Sequence, residues 1–543
     1  MRPKFAGSHS RSARRQRFTG MVAGALDRLE SRLMPSADVL TYHNDNMRTG
    51  LNAAETTLNT ANVNAAQFGK LAALPVDGAV YAQPLYKANV EIPGQGVHNV
   101  VYIATEHDSL YAFDADTQAL LWHDSFIDPA HGLTSVPSSD VHTGDLFPEI
   151  GITSTPVIDA STGTIYVADK IKLVAGKKTF YAQQLIALDI TTGAFKNGGP
   201  TTISAVVPGR GKGSFHGRLT FDPKIELQRT ALTLVDGVVY LSWASHSDYG
   251  PFHGWIMGYD AQTLKQRSVF NVTPNGSDGG IWMSGAGLAA DSANNLFVVT
   301  GNGTFDANRG GKNYGDSVLK LSTAGGLTVA DSFTPFNQAT FNATDLDLGS
   351  GGALLLPDQP GLHPHLLVTA GKEGRLYLID RDALGKFSPK GDQIVEEIPQ
   401  ALAASFDTPA YFNSTIYYVG TAERSEQTDE VLRAFHLTNG VINPTPTVGT
   451  IHYRYPGATP SISSNGTTNG IVWTIDSSAF ATLGPAILRA YDANDITHEL
   501  YNSTQNPADA AGPAVKFAPP TIADGKVFVA GFGAVTVYGL KPR

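Results

Sequence analysis

A chain of 543 residues with 42% hydrophobic content is long enough for a substantial core, and its 56 Gly and 31 Pro with only 16% charged residues suit many short strands joined by turns. A net charge of −10 argues against a nucleic-acid partner, whose affinity would rest on Lys and Arg meeting phosphates. The absence of cysteine excludes disulfides, thiolate metal sites, cysteine nucleophiles and covalently attached haem c.

The first 20 residues hold six Lys or Arg and no acid. The apolar stretch Phe18 to Leu26 is too short to span a bilayer and makes a poor conventional signal peptide. The next segment, LDRLESRLMPSA from Leu26 to Ala37, resembles an N-terminal targeting motif of the LEPR-XLL type found on exported bacterial proteins. That resemblance implies a basic, disordered export segment at 1–37, and an extracytoplasmic body (secreted, periplasmic or cell-surface) at 38–543. No other stretch reads as a transmembrane helix.

Past FGKLAALPV, a strand from Phe68 to Val76, one phrase recurs in worn copies. It runs YIATEHDSLYAFDADTQALLW from Tyr102, LIALDITTGAFK from Leu185, IMGYDAQTLKQ from Ile256, LYLIDRDALGK from Leu376, LRAFHLTNGVI from Leu432 and LRAYDANDITHEL from Leu488. Each copy is an alternating apolar strand, a polar turn and another strand, the pattern of a radial or solenoid β architecture. Innermost strands are short, small-residued and often introduced by Gly, Ser, Thr or Pro, and eight segments suit them. They begin at Tyr81, Thr153, Arg229, Ser284, Ser350, Asp407, Ala458 and Ala518. The last repeat stops at Leu540 one strand short, and Phe68 to Val76 can supply the missing strand. The expected fold is all-β: an eight-bladed propeller of four-stranded antiparallel blades, its ring closed by an N-terminal strand. Asp114, Asp189, Asp260, Asp380 and Asp492 read as turn and cap residues.

In such blades, loops on one face line a funnel around the axis. The polar residues placed there are Glu106, His107 and Asp108, then Asp145 and Glu149, Lys170, and His246 with Asp248. Further round come His253, Trp282, Asn302, Asp306, Asp347, Lys372 with Glu373, Glu423 with Arg424, and Asp476. Carboxylates, histidines and a few cations suit a polar small molecule or a divalent cation, and oxygen donors favour calcium or magnesium over zinc. For His107-Asp108 and Lys372-Glu373-Gly374 a role in hairpin geometry stands beside the ligand role.

The blade phrase resembles the tryptophan-docking repeat of the pyrroloquinoline quinone (PQQ) propellers, on Tyr111, Asp114, Thr117 and Trp122 in one copy and Leu188, Asp189, Thr192 and Gly193 in the next. The run Asn46 to Leu71 is also similar to that superfamily's lead-in. The resemblance covers Tyr42 to the C-terminus. It departs from quinoprotein alcohol dehydrogenases in lacking their vicinal Cys-Cys and CxxCH haem motifs, and none of that family's catalytic or calcium residues maps onto a matching motif. Two roles are therefore expected. The first is an exported binding or scaffold protein acting through its funnel on a small polar ligand, a protein or a glycan. The alternative is a haem-free PQQ-dependent oxidoreductase of alcohols or sugars, with PQQ over Trp282 or another axial aromatic, and calcium on nearby oxygen ligands. A flat aromatic floor beside a convergent acid, amide and Arg or Lys distinguishes the alternative. No nucleic-acid partner is expected, and the expected state is a monomer.

Overall fold

Among the described residues of this computed structural model, 38–421 and 430–542, the strands follow the repeat. The expected export segment and the candidates Glu423 and Arg424 lie outside the described residues. The first sheet hydrogen-bonds Leu85–Ile92, Gly96–Ala104, Ser109–Asp114 and Leu120–Ser125 in chain order, each antiparallel to the last. Its third strand is buried throughout and its fourth is largely exposed, as expected when a blade has one flank in the protein and one in solvent. The same order restarts at the short strands Val157–Asp159, Thr233–Val235, Ala289–Ala290, Leu354–Leu355, Ala410–Phe412 and Ser461–Asn465. An eighth sheet runs Thr521–Ala523, Lys526–Ala530 and Phe532–Leu540, and its fourth strand is Phe68–Ala79, paired antiparallel with Phe532–Leu540.

The short first strands begin a few residues later than the sequence pattern suggests. The Gly, Ser and Thr residues ahead of them form a crowded approach to the sheet. A Cβ on Gly351 would stand 2.2 Å from the Ala370 carbonyl, and one on Gly352 would stand 2.4 Å from Thr408 Oγ1. Small residues are there for close packing and add no ladder hydrogen bonds. The five repeat aspartates cap turns. Their Oδ1 atoms accept from the backbone N–H two residues on: Asp116, Thr191, Gln262, Asp382 and Asn494, at 2.8 to 3.1 Å.

One element escaped the repeat. Residues 39–52 cross the first strand of every one of these eight sheets, in chain order. Val39 pairs with Tyr86, Leu40 O accepts from Ile158 N, and Asn46 binds both Leu234 O and Ala290 N. Met47, Thr49 and Gly50 carbonyls accept from Leu355, Tyr411 and Ile462, and Asn52 Nδ2 donates to Ile522 O. In the middle of this thread Arg48 is wholly buried and donates six hydrogen bonds.

Apolar faces of successive sheets pack into each other. Trp243 and Trp255, partners across one ladder, both meet Phe221 edge-on at 5.1 and 6.0 Å. No described helix is long and apolar enough to cross a membrane.

Candidate functional site

The approaches to the short strands also build a cavity of about 340 Å³. Tyr81, Arg229, Phe406 and Phe517 each stand four residues before the first strand of their sheet, and each lines this cavity. The same position elsewhere holds Thr153, Gly285, Ser350 and Gly457. One offset from the first strand thus delivers side chains from four sheets to one place.

Aromatic rings form one part of the wall. Trp282 lies 5.9 Å from Phe406, Phe406 stacks on Phe517 at 6.3 Å with 17° between planes, and Tyr455 stands edge-on to both. Opposed to them is a polar group. Lys372 Nζ lies 2.9 Å from Asp347 Oδ2, 3.1 Å from Asp345 Oδ1 and 5.7 Å above the Trp282 ring. Asn302 ties the two acids together, its N–H donating to Asp347 Oδ1 (2.6 Å) and its Nδ2 to Asp345 Oδ1 (3.1 Å). Its own Oδ1 has no hydrogen-bond partner among the described residues.

Asp248 reaches the same cavity from the loop after Val238–Ser245. Ser247 and Asp248 both take left-handed backbone, with φ of 47° and 56°. Non-glycine residues pay for that conformation in strain, and such strain collects where a side chain must be presented. Packing against the cavity wall raises the Asp248 carboxyl above its ordinary value, and the negative charges of Asp347 and Asp345 raise it further. Its partner is Ser245 Oγ at 3.4 Å. Across the mouth, Asp145 accepts from Ser247 Oγ (2.5 Å) and faces Lys516 at 3.4 Å.

Of the residues singled out in the sequence, Asp145, Asp248, Trp282, Asn302, Asp347 and Lys372 line this cavity. The others do not. Lys170 spends its three N–H groups on Lys224 O, Glu226 O and His246 Nε2 (2.8, 3.1 and 2.7 Å), which makes the Lys170–His246 pair a buried clamp. His107 Nδ1 pairs with Glu149 Oε1 at 2.8 Å. His253 is held between Thr273 and Lys212 O, and Asp306 clasps Asn313 within its own loop. Tyr81, Arg229, Asp345, Phe406, Tyr455, Lys516 and Phe517 were not singled out. The common offset before the first strand was the signal that finds four of these.

Glu106 and Asp108 are fully buried. Glu106 Oε2 accepts from Gly151 N (2.7 Å) and Thr153 Oγ1 (3.0 Å), while burial pushes its carboxyl up to about 7 from an ordinary 4.5. A raised folded value means the folded state holds this proton more tightly. That stability is complete below pH ~4.5 and is lost as pH rises towards 7, on the order of 3 kcal/mol in all. Glu106→Gln keeps the acceptor and removes the titration. Measured by urea unfolding, the variant is expected to match the parent at pH 4.5 and to exceed it at pH 8.

No protein-family model matches this sequence, and no curated protein sequence matches it. Solved structures do. The quinohemoprotein alcohol dehydrogenase from Comamonas testosteroni matches with a TM-score of 0.63 and 16% identity over 95% of this chain and 83% of that one. The fold is a β-propeller. The quinohemoprotein alcohol dehydrogenase ADHIIG from Pseudomonas putida HK5 matches at 0.57 and 15% identity, over 93% of this chain and 82% of that one. A europium-containing methanol dehydrogenase matches at 0.54 and 13%, over 95% of this propeller chain and 100% of that one.

The cavity fits a planar quinone better than it fits calcium. Among the described residues no three His, Asp or Glu side chains converge as metal ligands. The Lys372 ammonium sits where a cation between Asp345 and Asp347 would otherwise go. An aromatic wall and fixed cations suit a flat ligand with oxygen substituents, and the unpartnered Asn302 Oδ1 suits an N–H or O–H donor on it.

Proposed function

We propose that this propeller is a haem-free quinoprotein-type oxidoreductase of hydroxyl-bearing substrates, alcohols or sugars, with PQQ in the aromatic-walled cavity. The observation that carries the reading is the Lys372–Asp345–Asp347–Asn302 group set over Trp282, the convergence of acid, amide and cation on an aromatic floor. Of the two expected roles, this favours the oxidoreductase over the scaffold. We further propose that the eight sheets are eight blades of a ring closed by Phe68–Ala79, and that the protein acts as a monomer outside the cytoplasm.

Bound PQQ would supply a two-electron acceptor. Trp282, Phe406 and Phe517 offer faces to hold it, and Lys372 and Asn302 offer an N–H donor and an acceptor at its edge. Asp248 is the group that takes the proton of the substrate hydroxyl. Its raised carboxyl is a stronger base than an ordinary aspartate, and it opens to the cavity mouth where substrate enters. Asp347, bound to Lys372 and to Asn302 N–H, positions those groups.

The test is titration with PQQ, in calcium and in chelator, followed by quinone absorbance and thermal melting. Saturable binding that raises the melting temperature in both buffers is expected. Dye-linked oxidation across alcohols and sugars then finds the substrate. No binding at micromolar PQQ would remove the reading and return the funnel to a scaffold role.

A further inference from the structure

Among the described residues three cations line the cavity, and they differ in how they are held. Lys372 is bound to two aspartates and Lys516 faces Asp145. Arg229, only 6% exposed, makes no salt bridge among the described residues. Its one hydrogen bond there runs from Nη2 to Ser284 O, and that is long, at 3.3 Å. Two aromatic rings flank it, the guanidinium lying 5.9 Å from the Tyr81 ring and 5.7 Å from the Phe517 ring, and the buried Glu106 carboxyl acts on it from beyond salt-bridge distance.

Arg48 shows what a structural buried arginine looks like in this chain. All three of its nitrogens are used, on four carbonyl contacts and two hydroxyls. A guanidinium offers five N–H donors, and Arg229 spends only one nitrogen inside the protein while its side chain lines the cavity, so the other donors are open to an acceptor there. A glycine packs directly against the guanidinium. Gly285, at the same offset in the next sheet, would place a Cβ 2.5 Å from Nη1 if it carried one. The group therefore stands at the wall of a 340 Å³ cavity with its fork unfilled and its flanks aromatic.

We propose that Arg229 is the seat of a ligand carboxylate, held by the guanidinium fork with the ligand's flat body between the aromatic rings. The inference rests on this cavity being a ligand site, and does not require the ligand to be a quinone. The carboxylate can come from a quinone cofactor or from an organic-acid substrate. The chemistry at Arg229 is the same.

The test compares wild type with Arg229→Gln and Arg229→Met, using three probes: PQQ, its trimethyl ester, and dipicolinate as a small aromatic dicarboxylate. Binding is read by calorimetry and tryptophan fluorescence, so no activity is needed. The expected result is carboxylate binding weakened at least about 30-fold in both variants, with the ester weak towards all three proteins. A second readout separates ligand-binding from structural roles. With no ligand present, Arg229→Met removes an unpaired buried charge, so its melting temperature is expected to rise above wild type. Binding of dipicolinate but not PQQ, lost in the variants, would keep the carboxylate seat and discard the quinone. Failure of both acids to bind, variants that bind them as tightly as wild type, or an unliganded Arg229→Met that melts lower would each overturn the proposal.

Discussion

Asp248→Asn is expected to lower the turnover of dye-linked oxidation by roughly 10²- to 10⁴-fold, the usual contribution of a positioned general base, while PQQ affinity stays within a few-fold of wild type. The split follows from position. Asp248 belongs to the cavity mouth, and the proposed cofactor contacts belong to Trp282, Lys372 and Asn302. The asparagine has the same shape and cannot accept the proton. In the parent, kcat/KM should rise with pH through a limb lying above the ordinary carboxylate range, because only the ionised form is a base and its proton is held more tightly. Asp347→Asn removes one of the negative charges behind that shift and leaves the Lys372 charge less compensated. Both changes favour ionised Asp248, so the limb should move to lower pH. Asp345→Asn is the control for the assignment. If it abolishes turnover and Asp248→Asn does not, the base is Asp345 and the role given to Asp248 is wrong.

The propeller scaffold was legible because its code is local and repeated. Alternating apolar strands and Asp-capped turns depend on neighbours two or three residues away, and the chain repeats them often enough to average out worn copies. The cavity was partly legible, since Asp248, Asp347 and Lys372 of its polar half and Trp282 of its aromatic wall are unusual residues in loops of a predictable face. Burial was harder to read. Glu106, Asp108, Lys170 and His246 look like funnel residues by type, but they turn inward, where backbone carbonyls and N–H groups satisfy some of them and burial raises or lowers their protonation. Beyond Trp282, the aromatic half was missed because Phe406, Tyr455 and Phe517 read as ordinary core side chains when each is taken alone. The register shared with Tyr81 and Arg229 marks Phe406 and Phe517, while Tyr455 stands two residues ahead of the matching position, Gly457. The thread at 39–52 carries no periodic signal, since every bond it makes is to a different sheet.

Arg48→Met is expected to cost about 4 kcal/mol, as much as the larger core truncations. Arg48 is fully buried and burial lowers its pKa to about 10, which still leaves it charged at neutral pH. Its charge is offset by aligned carbonyls: Leu288 O receives both Nε (3.1 Å) and Nη2 (2.8 Å), and Nη1 binds Tyr42 O (2.8 Å) and Asp45 O (3.2 Å). Methionine fills a similar volume and takes the guanidinium donor from Tyr42 O and from the Thr41 and Thr233 hydroxyls, leaving Leu288 O with Thr233 Oγ1 and Asp45 O with the backbone N–H of residue 48. Lysine should not rescue it, because three donors on one point cannot reach acceptors spread over residues 41–45, 233 and 288. Asn46→Ala, which removes one bond to Leu234 O (2.9 Å), should cost only about 1–2 kcal/mol. Urea unfolding of the three variants measures this directly. The contrast has a physical basis beyond hydrogen-bond number. Arg48 joins the thread to the sheets that carry Thr233 and Leu288, whose approaches also bear Arg229 and Trp282. Loosening it should therefore weaken ligand binding in the cavity as well as the fold. An Arg48→Met protein that unfolds within about 1 kcal/mol of wild type would show that the thread lies on the sheets without holding them.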